Sequence, residues 1–296
     1  MTFNDNARLD TSRVQKRGRG AVAGATIGGG SVIGAIVLFF LSQFLGVDLT
    51  GLAGGGLEGQ GQEQASTFED CKTGADANER VECRMVAVEN SLDAYWSSQA
   101  GALGVRYRTP GFVVYEGQTQ SACGTASNAV GPFYCPADQS MYLDVAFFSL
   151  MEQQLGAEDG PLAQMYVVAH EWGHHMQHQL GVLQQISQRD TGPTSDAVRL
   201  ELQADCFAGA WMKFAATTQD AQGVALLKPF TEEELRNAIG AARSVGDDHI
   251  QSQGGGGVSP ESFTHGTSEQ RQTWLLTGYE GGWGRCDTFA VPGSQL

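Results

Sequence analysis

Residues 20–47 carry no charge, and this constrains the chain more than any other feature. The stretch, GAVAGATIGGGSVIGAIVLFFLSQFLGV, exceeds the roughly 20 residues that a helix needs to cross a bilayer. In lipid the backbone polar groups find no water, so a crossing segment has to be a helix. The chain then divides into a basic tail at 1–19, a transmembrane anchor at 20–47, a Gly-rich linker at 48–66 and one body at 67–296. Arg8, Arg13, Lys16, Arg17 and Arg19 precede the stretch and Asp48 follows it. Lys and Arg stay on the cytoplasmic side, so a single-pass cell-membrane protein with an extracytoplasmic body is expected. A cleaved signal peptide is the rival reading, but its core spans about 7–15 residues and ends at an A-x-A-like site, which is absent here. Gly20, Gly24 and Gly28 recur every fourth residue. That spacing suits self-association of two anchors, or simply a helix of small residues.

The formal charge is −15 overall. Five of the 18 bases but only Asp5 and Asp10 of the 33 acids lie before residue 20, leaving 13 bases against 31 acids beyond it. Such a body is repelled by nucleic acid, which is not an expected partner. Six cysteines, none in a C-x-x-C pair, argue against a zinc knuckle and for disulfides in an oxidising compartment. Of the 15 pairings, the short-range Cys71–Cys83 and Cys123–Cys135 are the first choice, with Cys206–Cys286 by elimination; buried free thiols are the alternative.

Within the body, residues 79–100 have helical apolar spacing, 112–115 and 141–143 read as short strands, and 161–180, 195–215 and 231–245 read as helices. Pro161 suits a first helical position, Gly181 a stop and Ser195 a cap. Helices with few strands point to an α+β domain.

The chemistry lies in His170-Glu171-Trp172-Gly173-His174. Histidines four apart share one face of a helix, so a single zinc ion can bridge them. Zinc leaves a position for water in catalytic sites, and Glu171 is placed as the base that takes its proton. Leu162, Met165, Ala169, Trp172 and Met176 fall on the opposite, core-facing side. His175 points about 100° away from His174, and His178 lies about 12 Å along the axis from His170, too far to share one ion. A third histidine in the H-E-x-x-H-x-x-G-x-x-H pattern is missing, since Gln177 and Leu180 occupy the required positions. The third ligand is expected in the next helix. There Glu201 and Asp205 share a stripe with Val198, Leu202, Gly209 and Met212. Carboxylates on an apolar stripe are costly unless paired or metal-bound. Glu201 as ligand and Asp205 as partner of a ligand histidine remove that cost.

HEWGHHMQ with the downstream E-x-x-x-D resembles the gluzincin arrangement. The ordered set GPFYCPADQSMYLD (131–144), VVAHEWGHHMQHQLGV (167–182), ELQADCFAGAW (201–211), SVGDDHIQ (244–251), SFTHGTSEQR (262–271) and CDTF (286–289) resembles the bacterial family of neutral zinc metallopeptidases. The resemblance implies a membrane-anchored, zincin-like α+β domain with an active-site helix and small sheet. It implies a zinc-dependent peptidase acting on peptides or proteins, with His170, His174 and Glu201 as ligands and Glu171 as base. His265 is implied as a donor to the oxyanion or as a structural hydrogen-bonding residue, with His249 a weaker candidate. Met141, Tyr142 and Leu143 are implied as the edge strand that holds a substrate by main-chain pairing. The competing expectation is a catalytically silent zinc-binding envelope protein that serves assembly, for which Glu171 would not be needed.

Overall fold

The computed structural model describes residues 2–18, 65–66, 68–127, 130–157, 160–187, 190–253 and 257–296. The expected anchor at 20–47 and most of the linker lie outside these residues. No described helix is long and apolar enough to cross a membrane.

The fold is mixed α+β. Its strands are β1 (Val14–Arg17), β2 (Ala65–Ser66), β3 (Gly111–Tyr115), β4 (Gln118–Ser121), β5 (Gly124–Ser127), β6 (Phe133–Cys135) and β7 (Ser140–Asp144). Its helices are α1 (Gly74–Glu79), α2 (Val81–Leu103), α3 (Ala146–Leu155), α4 (Pro161–Gln179), α5 (Asp196–Phe214), α6 (Glu232–Ser244), α7 (Asp247–Gln253) and α8 (Ser268–Gly281). A five-stranded sheet runs in the order β2-β1-β3-β7-β6, and β4 and β5 form a separate antiparallel pair. β1, β3 and β7 are mutually parallel, with β2 and β6 antiparallel at the two ends.

Local chemistry accounts for the helix ends. α2 stops at Gly104, whose φ of 68° is left-handed and suits glycine. Pro161 opens α4, and the Ser195 hydroxyl accepts the Val198 N–H at the start of α5. Capping boxes pair Thr231 with Glu234 and Thr267 with Gln270 at α6 and α8. α4 lies at the centre, against α2, α5 and α6, and Trp96, Trp172 and Trp211 are wholly buried around it. All three expected disulfides form: Cys71–Cys83, Cys123–Cys135 and Cys206–Cys286.

The N-terminal residues depart from the sequence expectation. Residues 2–17 are not a tail apart from the body but part of it. β1 pairs with β3 along its whole length, and Phe3, Ala7 and Val14 are buried in the main core. The charge pattern suggested a cytoplasmic basic tail; apolar residues at 3, 7 and 14 and a sheet edge at β3 draw the segment in.

Candidate metal centre and active site

α4 and α5 bring the centre together by close approach. A Cβ on Gly173 would lie 2.8 Å from Cα of Ala204, so the glycine inside the HEWGH motif lets α5 pack directly on the ligand helix. That contact sets Glu201 opposite the two histidines. Glu201 Oε2 lies 3.1 Å from Nε2 of His170, and Glu201 Oε1 lies 3.5 Å from Nε2 of His174. One ligand atom from each of the three residues falls within 4.8 Å of the others. Tetrahedral zinc with bonds of about 2.0–2.1 Å needs ligand atoms roughly 3.3 Å apart, and the 3.1 and 3.5 Å separations of Glu201 from the two imidazoles fit that spacing.

The outer hydrogen bonds orient the ligands. His170 Nδ1 donates to Asp205 Oδ1 at 2.8 Å, and His174 Nδ1 donates to Gln177 Oε1 at 2.9 Å. Both rings therefore turn Nε2 toward Glu201. Gln177 is held in turn by donating to the Leu200 carbonyl at 2.7 Å. Asp205 accepts from Tyr166 Oη at 2.5 Å and from Arg271 Nε and Nη2 at 2.8 and 3.0 Å. Arg271 reaches Asp205 because α8 packs on α5 through glycines: a Cβ on Gly278 would lie 1.8 Å from the Cys206 carbonyl oxygen.

The electrostatics suit a cation. Burial alone would raise the Glu201 carboxyl, yet His174, His170 and His265 hold it well below the usual range. Burial would likewise raise Asp205, but Arg271 and His170 keep it ionised. Burial works to lower His170, yet Asp205 and Glu201 push it up to about 10. A histidine drawn so strongly toward its charged form sits where the protein stabilises positive charge. Glu171 is buried beside the ligands, and burial raises its pKa. The Tyr134 main chain hydrogen-bonds to it.

His265 lines the same cleft. Its Nδ1 is 3.1 Å from Asp247 Oδ1, which places Nε2 on the opposite edge of the ring. Asp247 is fixed by accepting the N–H groups of Thr264, His265 and Gly266 at 2.8, 2.6 and 3.0 Å. Burial would lower the His265 pKa, but the Asp247 carboxylate outweighs it and raises it.

The other histidines are structural. His178 Nδ1 is 2.8 Å from Tyr134 Oη. His175 Nε2 donates to the Arg108 carbonyl at 2.7 Å, and His249 Nε2 donates to the Leu155 carbonyl at 2.8 Å. One expectation is corrected. Met141, Tyr142 and Leu143 belong to β7, where Met141 and Tyr142 are paired on both sides, with β3 and with β6, and Leu143 is paired with β3. The strand at the sheet's edge is β6, and its Phe133 and Tyr134 line the cleft. A three-residue strand within GPFYCPAD is too short to show a period. The cleft has a volume of about 200 Å³, and its far wall is apolar, with Phe147, Met151, Leu155, Val245 and Ile250.

Asp247, Arg271, Gln177 and Tyr166 join the expected residues at the site. Asp247 and Arg271 fall inside the SVGDDHIQ and SFTHGTSEQR stretches, but no spacing in the sequence assigns them a role.

Residues 4–289 match the family described as putative neutral zinc metallopeptidase. Rv2575 of Mycobacterium tuberculosis (strain ATCC 25618 / H37Rv) is 46% identical over 226 residues, 76% of each chain. YpfJ of Escherichia coli (strain K12) is 37% identical over 297 residues, 95% of this chain and 97% of its own. Both are named only as uncharacterized proteins. No solved structure matches the chain. With residues 4–289 inside the match, the chain belongs to the putative neutral zinc metallopeptidase family.

Proposed function

We propose that this protein is a zinc-dependent endopeptidase of the zincin type, associated with the cell envelope, whose substrates carry a bulky apolar residue beside the scissile bond. The observation that carries the reading is the gathering of His170, His174 and Glu201 within 4.8 Å, with Glu171 between the histidines in sequence and at the same cleft. A zinc ion held by these three residues would polarise a carbonyl and make water nucleophilic at neutral pH. Glu171, its basicity raised by burial, takes the proton of the attacking water and passes it to the leaving amine. His265, braced by Asp247, donates toward the oxyanion. An extended peptide pairs with the outer edge of β6, which brings its carbonyl past Glu171. The apolar wall receives an adjacent side chain.

The test is cleavage of an unfolded protein by the purified, disulfide-intact chain. Activity is expected to stop on metal removal and return with zinc. Glu171→Gln is expected to keep stoichiometric zinc and an unchanged melt while losing at least about 100-fold in cleavage. Undiminished cleavage by that variant would assign the activity elsewhere, and loss of zinc would make Glu171 a ligand or a prop.

A further inference from the structure

The body holds residues specific for the N-terminal segment. Asn78 accepts the Phe3 N–H at 3.0 Å and donates to the Phe3 carbonyl at 3.0 Å. Asn90 treats Asp10 the same way, at 2.7 and 2.9 Å. In both cases one side-chain amide satisfies both polar groups of a single backbone residue, as a paired strand would. Gly74 marks a third point, where a Cβ would fall 2.0 Å from the Asn4 carbonyl oxygen. Only a residue without a side chain lets the segment lie there. Main-chain bonds continue the docking: Asn4 N–H to the Leu226 carbonyl at 3.0 Å, Lys228 N–H to the Thr2 carbonyl at 2.9 Å, and Leu9 N–H to the Lys72 carbonyl at 3.0 Å.

The basic residues of the segment are engaged in the same fold. Arg13 pairs with Asp93, and it lies 3.9 Å from Glu89, a carboxylate with no exposure in α2. Lys16 meets Glu82 at 2.9 Å, and Arg17 donates to the Gln120 carbonyl at 2.9 Å. Arg13, Lys16 and Arg17 are three of the five cations that suggested a cytoplasmic segment, and they have structural partners in the body.

The strand register adds a distance argument. Arg17 stands opposite Ala65 in the β1–β2 pair. Paired antiparallel residues have Cα atoms about 5 Å apart, whereas the hydrocarbon core of a bilayer is about 30 Å thick. A single crossing between these positions would put them on opposite faces and break the pair.

We propose that residues 2–17 and the body fold as one unit and lie on the same side of the membrane. This inference does not depend on the peptidase reading.

Two measurements on the full chain in bacterial membranes test it. A short protease-sensitive tag is placed before Met1 and another after Leu296, and intact spheroplasts are treated with an impermeant protease. Loss of both tags before lysis, or survival of both until lysis, supports the proposal. Loss of one with survival of the other overturns it. The second measurement uses Arg8→Cys with Thr73→Cys, because these residues face each other in an antiparallel bridge. Near-complete formation of a fourth disulfide is expected by peptide mapping. Two thiols open to alkylation in a folded body would show that the segment is not docked.

Discussion

At the scale of single residues, the centre divides into what spacing reveals and what it hides. His170, Glu171 and His174 are legible because a helix puts residues four apart on one face. Glu201 and Asp205 are legible because two carboxylates on an apolar stripe demand partners. Removing the Glu201 carboxylate should abolish tight zinc binding, while His178→Ala should leave it nearly intact, since His178 bonds Tyr134. Zinc titration of both variants decides the assignment, and the reverse ranking would overturn it. Asp205→Asn should weaken zinc binding less, by about 10–100-fold. Arg271 was hidden, because nothing in a lone arginine of α8 tells that it meets Asp205, 66 positions earlier in the chain. Its loss removes the guanidinium from a buried carboxylate and leaves His170 and Tyr166 as its side-chain partners. Arg271→Met should therefore destabilise the fold by about 3–5 kcal/mol, and adding Asp205→Asn should recover part of that. Chemical denaturation of the single and double variants reads this coupling, and additive effects would mean that the two side chains act independently.

At the scale of elements, long amphipathic helices were legible and short pieces were not. The expected helix at 161–180 is α4 (Pro161–Gln179), and the expected helix at 195–215 is α5 (Asp196–Phe214). Each has a cap or proline at its start and enough turns to show its period. The strand expected at 112–115 is β3, one residue longer. By contrast β6 has three residues and β2 two, lengths at which alternation carries no information. α3 was also missed, though it supplies Phe147, Met151 and Leu155 to the cleft wall. Phe147, Phe148, Met151 and Leu155 do share one face, but over only ten residues the stripe is short. If α3 shapes specificity, a peptide with Phe beside the scissile bond should be cleaved at least about 10-fold faster than its Ala counterpart. Met151→Phe narrows the cavity and should reduce that ratio while preserving cleavage of the Ala peptide. Equal kcat/KM for the two peptides would remove the apolar specificity and leave the peptidase reading intact.

At the scale of the whole molecule, the three bridges are not equivalent. Cys71–Cys83 and Cys123–Cys135 each span 12 positions, whereas Cys206–Cys286 spans 80. In the chain-entropy account a longer closed loop restricts the unfolded chain more, about 4.7 kcal/mol for 100 residues against about 3 for 15. The long bridge also acts on the native centre. Cys206 follows Asp205 in α5, and the Cys286 carbonyl accepts the Gln203 amide at 2.9 Å. Arg199 donates to the carbonyls of Thr288 and Val291. The C-terminal segment is thus laced along the helix that presents Glu201. Cys206→Ala with Cys286→Ala should lower stability by about 2–5 kcal/mol, or roughly 2–4 °C of Tm per kcal/mol. It should also weaken zinc binding, because α5 gains freedom where Glu201 meets His170. The Cys123–Cys135 bridge ties only the β4–β5 hairpin to β6, so Cys123→Ala with Cys135→Ala should lower Tm by less and leave zinc affinity unchanged. Thermal melts with and without zinc separate the two effects, since a bound metal adds stability in proportion to its affinity. Equal Tm losses with equal zinc affinity would mean that packing against α4 and α8 alone holds α5 in place.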